Sequence, residues 1–170
     1  MKSIKTIWSI LVVFTVAAYA GCGGGRSTTA QNGSVSGGRP EFAEFAENYA
    51  KAWSSGDPKA VARFFTEDGS LRVNDDKPAV GRAAIAEVAH GFMSAHPDAV
   101  VTMDRLVTRP DGVVEFHWTL SGTNTGPRGT GNRIRISGLE EWHMTSGGLI
   151  SASQAYLDER EYKRQIKEGY

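Results

Sequence analysis

In 170 residues, 19 Lys and Arg offset 19 Asp and Glu, and there is a single Cys. That balance excludes the basic footprint of a nucleic-acid binder. One cysteine excludes an internal disulfide, so a chain with room for one domain must be held by its core alone.

Lys2 and Lys5 precede an apolar run from Ile7 to Ala20, broken only by Ser9 and Thr15, and Tyr19-Ala20-Gly21 leads into Cys22. The run is too short to span a bilayer and gives way to glycines, the layout of a secretory signal. Small residues ending at the sole cysteine point to a bacterial lipoprotein signal over residues 1–21, with Cys22 as the lipidated first residue of the mature chain. The alternatives are an ordinary cleaved signal beside a free thiol, or an uncleaved anchor. Residues 22–40 then hold the lipidated cysteine and a Gly/Ser-rich tether. Between Gly23 and Arg39 only Ala30 and Val35 are apolar, too little to fold. The expected location is the bacterial cell envelope, with the domain outside the cytoplasm; Gly23 after Cys22 fits an outer-membrane destination in a Gram-negative host.

The domain is expected over residues 41–170. Pro40 suits the first turn of a helix, with Glu41 and Glu44 near its positive end. Phe42, Phe45, Ala46, Tyr49 and Trp53 fall on one face. Ser54-Ser55-Gly56 ends that helix and Asp57-Pro58 caps a second, with Val61, Phe64 and Phe65 inward. Thr66 to Gly69 reads as a turn into a short strand over 70–74. A third helix is predicted from about Arg82 to Ala95, with Ile85, Val88, Ala89, Phe92 and Met93 on its apolar side.

After His96-Pro97 the period becomes alternating. Strands are predicted over 100–108, 113–123, 133–145 and 149–157, joined by hairpin turns at Arg109-Pro110-Asp111-Gly112 and Ser146-Gly147-Gly148. A polar terminal helix follows over 159–167. Helices first and consecutive strands after them predict an α+β fold, three helices packed on an antiparallel sheet. On the last strand, strict alternation puts Ile150, Ala152, Gln154, Tyr156 and Asp158 on one face. His117 and Trp118 point to opposite faces, so one of them lines the interior. Arg133 and Arg135 alternate with Ile134 and Ile136, the pattern of a solvated or dimer-facing surface. His90, His96, His117 and His143 lack metal-site spacing, so neither metal nor cofactor is expected.

Ser55-Gly56-Asp57-Pro58, the run Phe64-Phe65-Thr66-Glu67-Asp68-Gly69 and Val80-Gly81-Arg82-Ala83-Ala84-Ile85 resemble the opening of the nuclear transport factor 2-like superfamily. The segment from His117-Trp118 to Asn124-Thr125-Gly126, then Thr130-Gly131 and Tyr156-Leu157-Asp158, is similar to its SnoaL-like polyketide cyclase branch. The resemblance runs from about Glu41 to Gln165. It implies a cone in which a curved sheet wraps helices around a pocket, and it implies homodimers. It also implies a proton-abstracting carboxylate at Asp158, whose alternative is the N-cap of the terminal helix; the two roles can coexist. Two positions depart from the branch: Ala152-Ser153-Gln154 replaces Glu-His-Trp, and Asn124 replaces a His. Similarity to ketosteroid isomerase places an oxygen-binding Tyr at Tyr49 and a protonated carboxyl at Glu140, but its general base falls at Val73, two residues before Asp75. Tyr49 reads equally as a core residue.

The expected site therefore joins Asp158, Tyr49 and Glu140 as catalytic residues to pocket walls from Trp118 or His117, Trp142, Tyr156, Gln154 and Phe65. The expected partner is a small hydrophobic carbonyl or aromatic compound, handled by isomerase- or cyclase-type acid–base chemistry. The alternative is a non-catalytic ligand-binding or dimeric accessory domain.

Overall fold

The computed structural model describes residues 40–170; the expected signal, Cys22 and the tether through Arg39 lie outside them. Helix α1 (Pro40–Trp53) buries Ala46 and Tyr49 completely, while Phe45 and Trp53 pack beside them. Its end is stitched to the sheet by Ser54. The Ser54 hydroxyl donates to Ala50 O at 2.9 Å and accepts from Val101 N at 2.8 Å, so the last turn cannot fray independently of the sheet. Helix α2 (Pro58–Ala62) starts as its sequence dictates: Asp57 accepts from Lys59 N, and Pro58 has no N–H to leave unpaired. Helix α3 (Arg82–Ala95) buries Ile85, Ala89 and Met93, one side of a helix at four-residue steps.

The strands are β1 (Phe65–Val73), β2 (Ala79–Val80), β3 (Val100–Thr108), β4 (Val114–Thr123), β5 (Arg133–Met144) and β6 (Ile150–Leu157). They form one curved sheet in the order β2-β1-β6-β5-β4-β3. Along β4, Val114, Phe116, Trp118 and Leu120 are buried, and along β5, Ile134, Ile136, Glu140 and Trp142 are. Register pairs Phe116 with Glu140 and Trp118 with Gly138, so Trp118 and Glu140 stand diagonally on the same inner face, roughly 7–8 Å apart at the backbone. Gly138 is there for space: a side chain on it would overlap the Trp118 indole. The long β4–β5 loop has a similar requirement at Gly126, where any side chain would meet the Ser94 carbonyl.

Helix α4 (Glu159–Glu168) does more than follow β6. Residues 133–137 of β5 pair only with β4, because β6 begins its pairing at Gly138. The Gln165 side chain fills that gap, accepting from Arg135 N at 2.6 Å and donating to Arg135 O at 3.0 Å. Tyr170 N adds a bond to Arg133 O. His96, almost fully buried, links the same helix to the end of α3 through the Tyr162 hydroxyl at 2.9 Å.

Four expectations are corrected. Thr66 to Gly69 is not a turn before the strand: β1 already starts at Phe65, and those residues bulge out between Phe65 and Ser70. The second helix stops at Ala62, so Phe64 and Phe65 follow it rather than forming its inward side. The sheet is not wholly antiparallel, since β1 runs parallel to β6. The strict alternation expected for β6 also fails. Met144 pairs with Ile150 but His143 pairs with Ala152, leaving Ser151 as an extra residue. A single bulged residue exchanges the faces of everything after it. Ser153 and Ala155 therefore turn inward, whereas Tyr156 is 45% exposed.

Candidate functional site

The inner face places a carboxyl where water barely reaches. Glu140 is 4% exposed, and three donors converge on one of its oxygens. The Tyr49 hydroxyl reaches Oε2 at 3.1 Å, Trp142 Nε1 at 2.9 Å and the Ser153 hydroxyl at 2.8 Å. Its other oxygen, Oε1, takes none among the described residues. Burial pushes the Glu140 carboxyl above its ordinary value, and the donors from Trp142, Ser153 and Tyr49 offset only part of that. Burial first, then the neighbouring carboxyl, push the Tyr49 hydroxyl well above its ordinary value, so Tyr49 stays a donor. The Trp53 indole acts on Tyr49 in the opposite sense, although its N–H closes no hydrogen bond.

Because Oε2 is saturated by donors, the proton of a neutral Glu140 belongs on Oε1. The group is fixed in place by its neighbours. Tyr49 packs edge-on against Trp142 at 5.1 Å and Phe116 at 5.6 Å, and Phe116 stacks on Trp142 at 4.8 Å. Aromatic pairs of this kind contribute about 0.5–1.5 kcal/mol each beyond their buried area, which holds the donor set rigid.

Beside this carboxyl lies a half-enclosed cavity of about 40 Å³ between α1, α3 and the inner face. Trp53, Phe92, Trp118, Leu71 and Val101 supply much of its wall, and Glu140 is its one ionisable side chain among the described residues. The space exceeds what one water needs, about 10–15 Å³, and is smaller than the roughly 150 Å³ that encloses a benzene ring, so a ring-sized ligand projects from its open side. Four buried side-chain polar atoms lack a partner among the described residues: Trp53 Nε1, Thr66 Oγ1, His96 Nδ1 and Trp118 Nε1. Two of the four belong to the cavity wall.

The structure brings Tyr49 and Glu140 into contact and places Trp118 on the cavity beside them. Asp158 does not join them. It is exposed and caps α4, its Oδ1 accepting from Arg160 N and Glu161 N at 3.0 Å each. The Ser151 bulge turns the strand leading to Asp158 so that Gln154 and Tyr156 fall on the outer face. Gln154 instead donates to Asn74 O, and Tyr156 lies near Glu141. His117 is on the outer face too, between Arg105 and Glu115, while Trp118 faces in. Phe65 and Trp142 are fully buried core that do not line the cavity. His143 is exposed.

Sequence reasoning missed Ser153 as a donor, since the bulge that turns it inward leaves no local signal. It also missed Trp53 and Phe92 as cavity wall, although their apolar helical faces were visible. Asn124, where the branch often carries His, is a loop latch. It donates to Ala95 O at 3.1 Å and accepts from Thr130 N at 3.0 Å.

The family profile of the SnoaL-like domain matches residues 46–153, and the chain belongs to that family. No curated protein matches it significantly. Among solved structures, it is similar to a protein of ketosteroid isomerase-like fold from Catenulispora acidiphila, solved with trimethylamine. Identity there is 19%, with a TM-score of 0.64 over 74% of this chain and 93% of that one. SalBIII, an epoxide hydrolase/cyclase-like enzyme of pyran ring formation in the polyether salinomycin, is 20% identical, with a TM-score of 0.62 over 71% and 93%. AclR from Streptomyces galilaeus, a candidate hydroxylase, is 18% identical, with a TM-score of 0.62 over 75% and 82%. At these identities the likeness is one of fold, and this fold carries unrelated chemistries.

Proposed function

We propose that the chain is a membrane-tethered SnoaL-like domain that binds a small apolar carbonyl or aromatic compound, with Glu140 as the group that exchanges a hydrogen bond or proton with it. The supporting observation is a buried carboxyl, pinned through one oxygen by Tyr49, Trp142 and Ser153, whose other oxygen takes no hydrogen bond among the described residues and whose side chain lines an apolar cavity. A neutral carboxyl can donate to a ligand oxygen, and an ionised one can accept a proton from it. A cyclase-like neighbour, and a ketosteroid isomerase-like one solved with a small amine, favour a small-molecule role. A binding role without turnover is favoured over catalysis by one observation: with Asp158 used as a helix cap, the cavity wall has a single ionisable side chain among the described residues. The anchor belongs to the same proposal, with Cys22 as the lipidated residue and homodimers as the assembled form.

The test is the carboxyl ¹³C resonance of Glu140 followed through a pH titration. The expected midpoint lies above the ordinary value of 4.5. The folded state then holds this proton more tightly than the unfolded chain does, so stability falls as pH rises from 4.5 through the raised midpoint. Glu140→Gln removes that slope. A midpoint at or below the ordinary value overturns the assignment of Glu140.

A further inference from the structure

We propose that Trp118 is a ligand-binding residue: its indole N–H and Glu140 Oε1 together hold a single acceptor oxygen on a neutral, otherwise apolar ligand. This rests on the proposed pocket and names the chemistry of its occupant. Trp118 is 9% exposed and its Nε1 is buried with no acceptor. A buried donor left unmade costs roughly 1–3 kcal/mol, so a group that meets it gains correspondingly. The ring is seated closely on its neighbour, because its six-membered part occupies the space where a side chain on Gly138 would stand. Strand register sets it diagonally beside Glu140 on the same face, and both residues line the same cavity.

Tyr49, the residue expected to be the second oxygen donor, is not available for that task. Its hydroxyl is spent on Glu140 Oε2, alongside Trp142 and Ser153. Among the described residues, that leaves Oε1 and the Trp118 N–H as the groups of the sheet's inner face able to meet a ligand oxygen, with the unpartnered Trp53 N–H on the α1 side of the same cavity. Two donors with no facing cation select a carbonyl-type acceptor. They reject a hydrocarbon of the same shape, which leaves the indole unmet, and a carboxylate would have to shed its water in an apolar wall. Tyr49, Trp142 and Ser153 are positioning residues in this arrangement, since they act through Glu140.

The probes are acetophenone and α-methylstyrene, which share a shape and differ by C=O against C=CH₂. Full-length wild-type protein should bind acetophenone more tightly, and the ¹³C carbonyl resonance should move downfield on binding. Trp118→Phe keeps the ring but loses the N–H. It should weaken acetophenone about tenfold, the scale of one hydrogen bond, return the carbonyl resonance part of the way, and leave α-methylstyrene unchanged. If the variant fails to fold, the ¹H–¹⁵N indole resonance of Trp118 in wild type decides: acetophenone should move it downfield and α-methylstyrene should not. If wild type binds both probes and neither Trp118 nor the carbonyl resonance responds to the oxygen, the Trp118 assignment is wrong while the pocket stands. If wild type binds neither probe, the pocket itself is misassigned and this inference falls with it.

Discussion

At the scale of single residues, the two carboxyls singled out by sequence have opposite fates. Glu140 was legible because it follows the alternation of Ile134, Ile136 and Trp142, and an acid in an apolar phase is conspicuous. Asp158 was legible as a cap, from the acids just after it, and illegible as an outsider to the pocket, because one bulged residue upstream changed the phase. Asp158→Ala should therefore lower stability by about 1 kcal/mol, the usual effect of losing an N-cap, and leave affinity for acetophenone unchanged. Urea denaturation and a binding isotherm check the two halves. A loss of affinity without a loss of stability would return Asp158 to the pocket.

At the scale of elements, periodicity located the start of every described helix and the bounds of the four long strands to within a residue or two, since each carries an amphipathic pattern over eight or more residues or a capped start. It ran the second helix on to Phe65, three residues past its end at Ala62. The two-residue β2 and the bulged opening of β1 were not legible, because Thr66, Glu67, Asp68 and Gly69 are turn-forming residues carried as a bulge between Phe65 and Ser70, which pair with β6 on either side of it. Tertiary contact overrides local preference there. Helix α4 is the converse case: a polar sequence with little to bury, docked by specific hydrogen bonds. Gln165→Ala strips the amide that satisfies both backbone groups of Arg135. It should cost roughly 1–3 kcal/mol in urea denaturation, whereas the exposed Glu159→Ala should cost far less.

At the scale of the whole molecule, the described residues form a cone closed by aromatic packing, and what attaches it to a membrane is proposed from the first 39 residues alone. Cys22→Ser should abolish incorporation of a fatty-acid probe and leave the precursor uncut. Labelling that survives the substitution would place the anchor elsewhere.

The docking of α4 on β5 has a consequence for neighbouring copies. A strand edge with free N–H and C=O groups is a template on which another chain can grow, and the first half of β5 would be such an edge without Gln165 and Tyr170. The helix is thus a guard against aggregation as well as a prop for the sheet, and loosening it endangers solubility before it endangers the pocket.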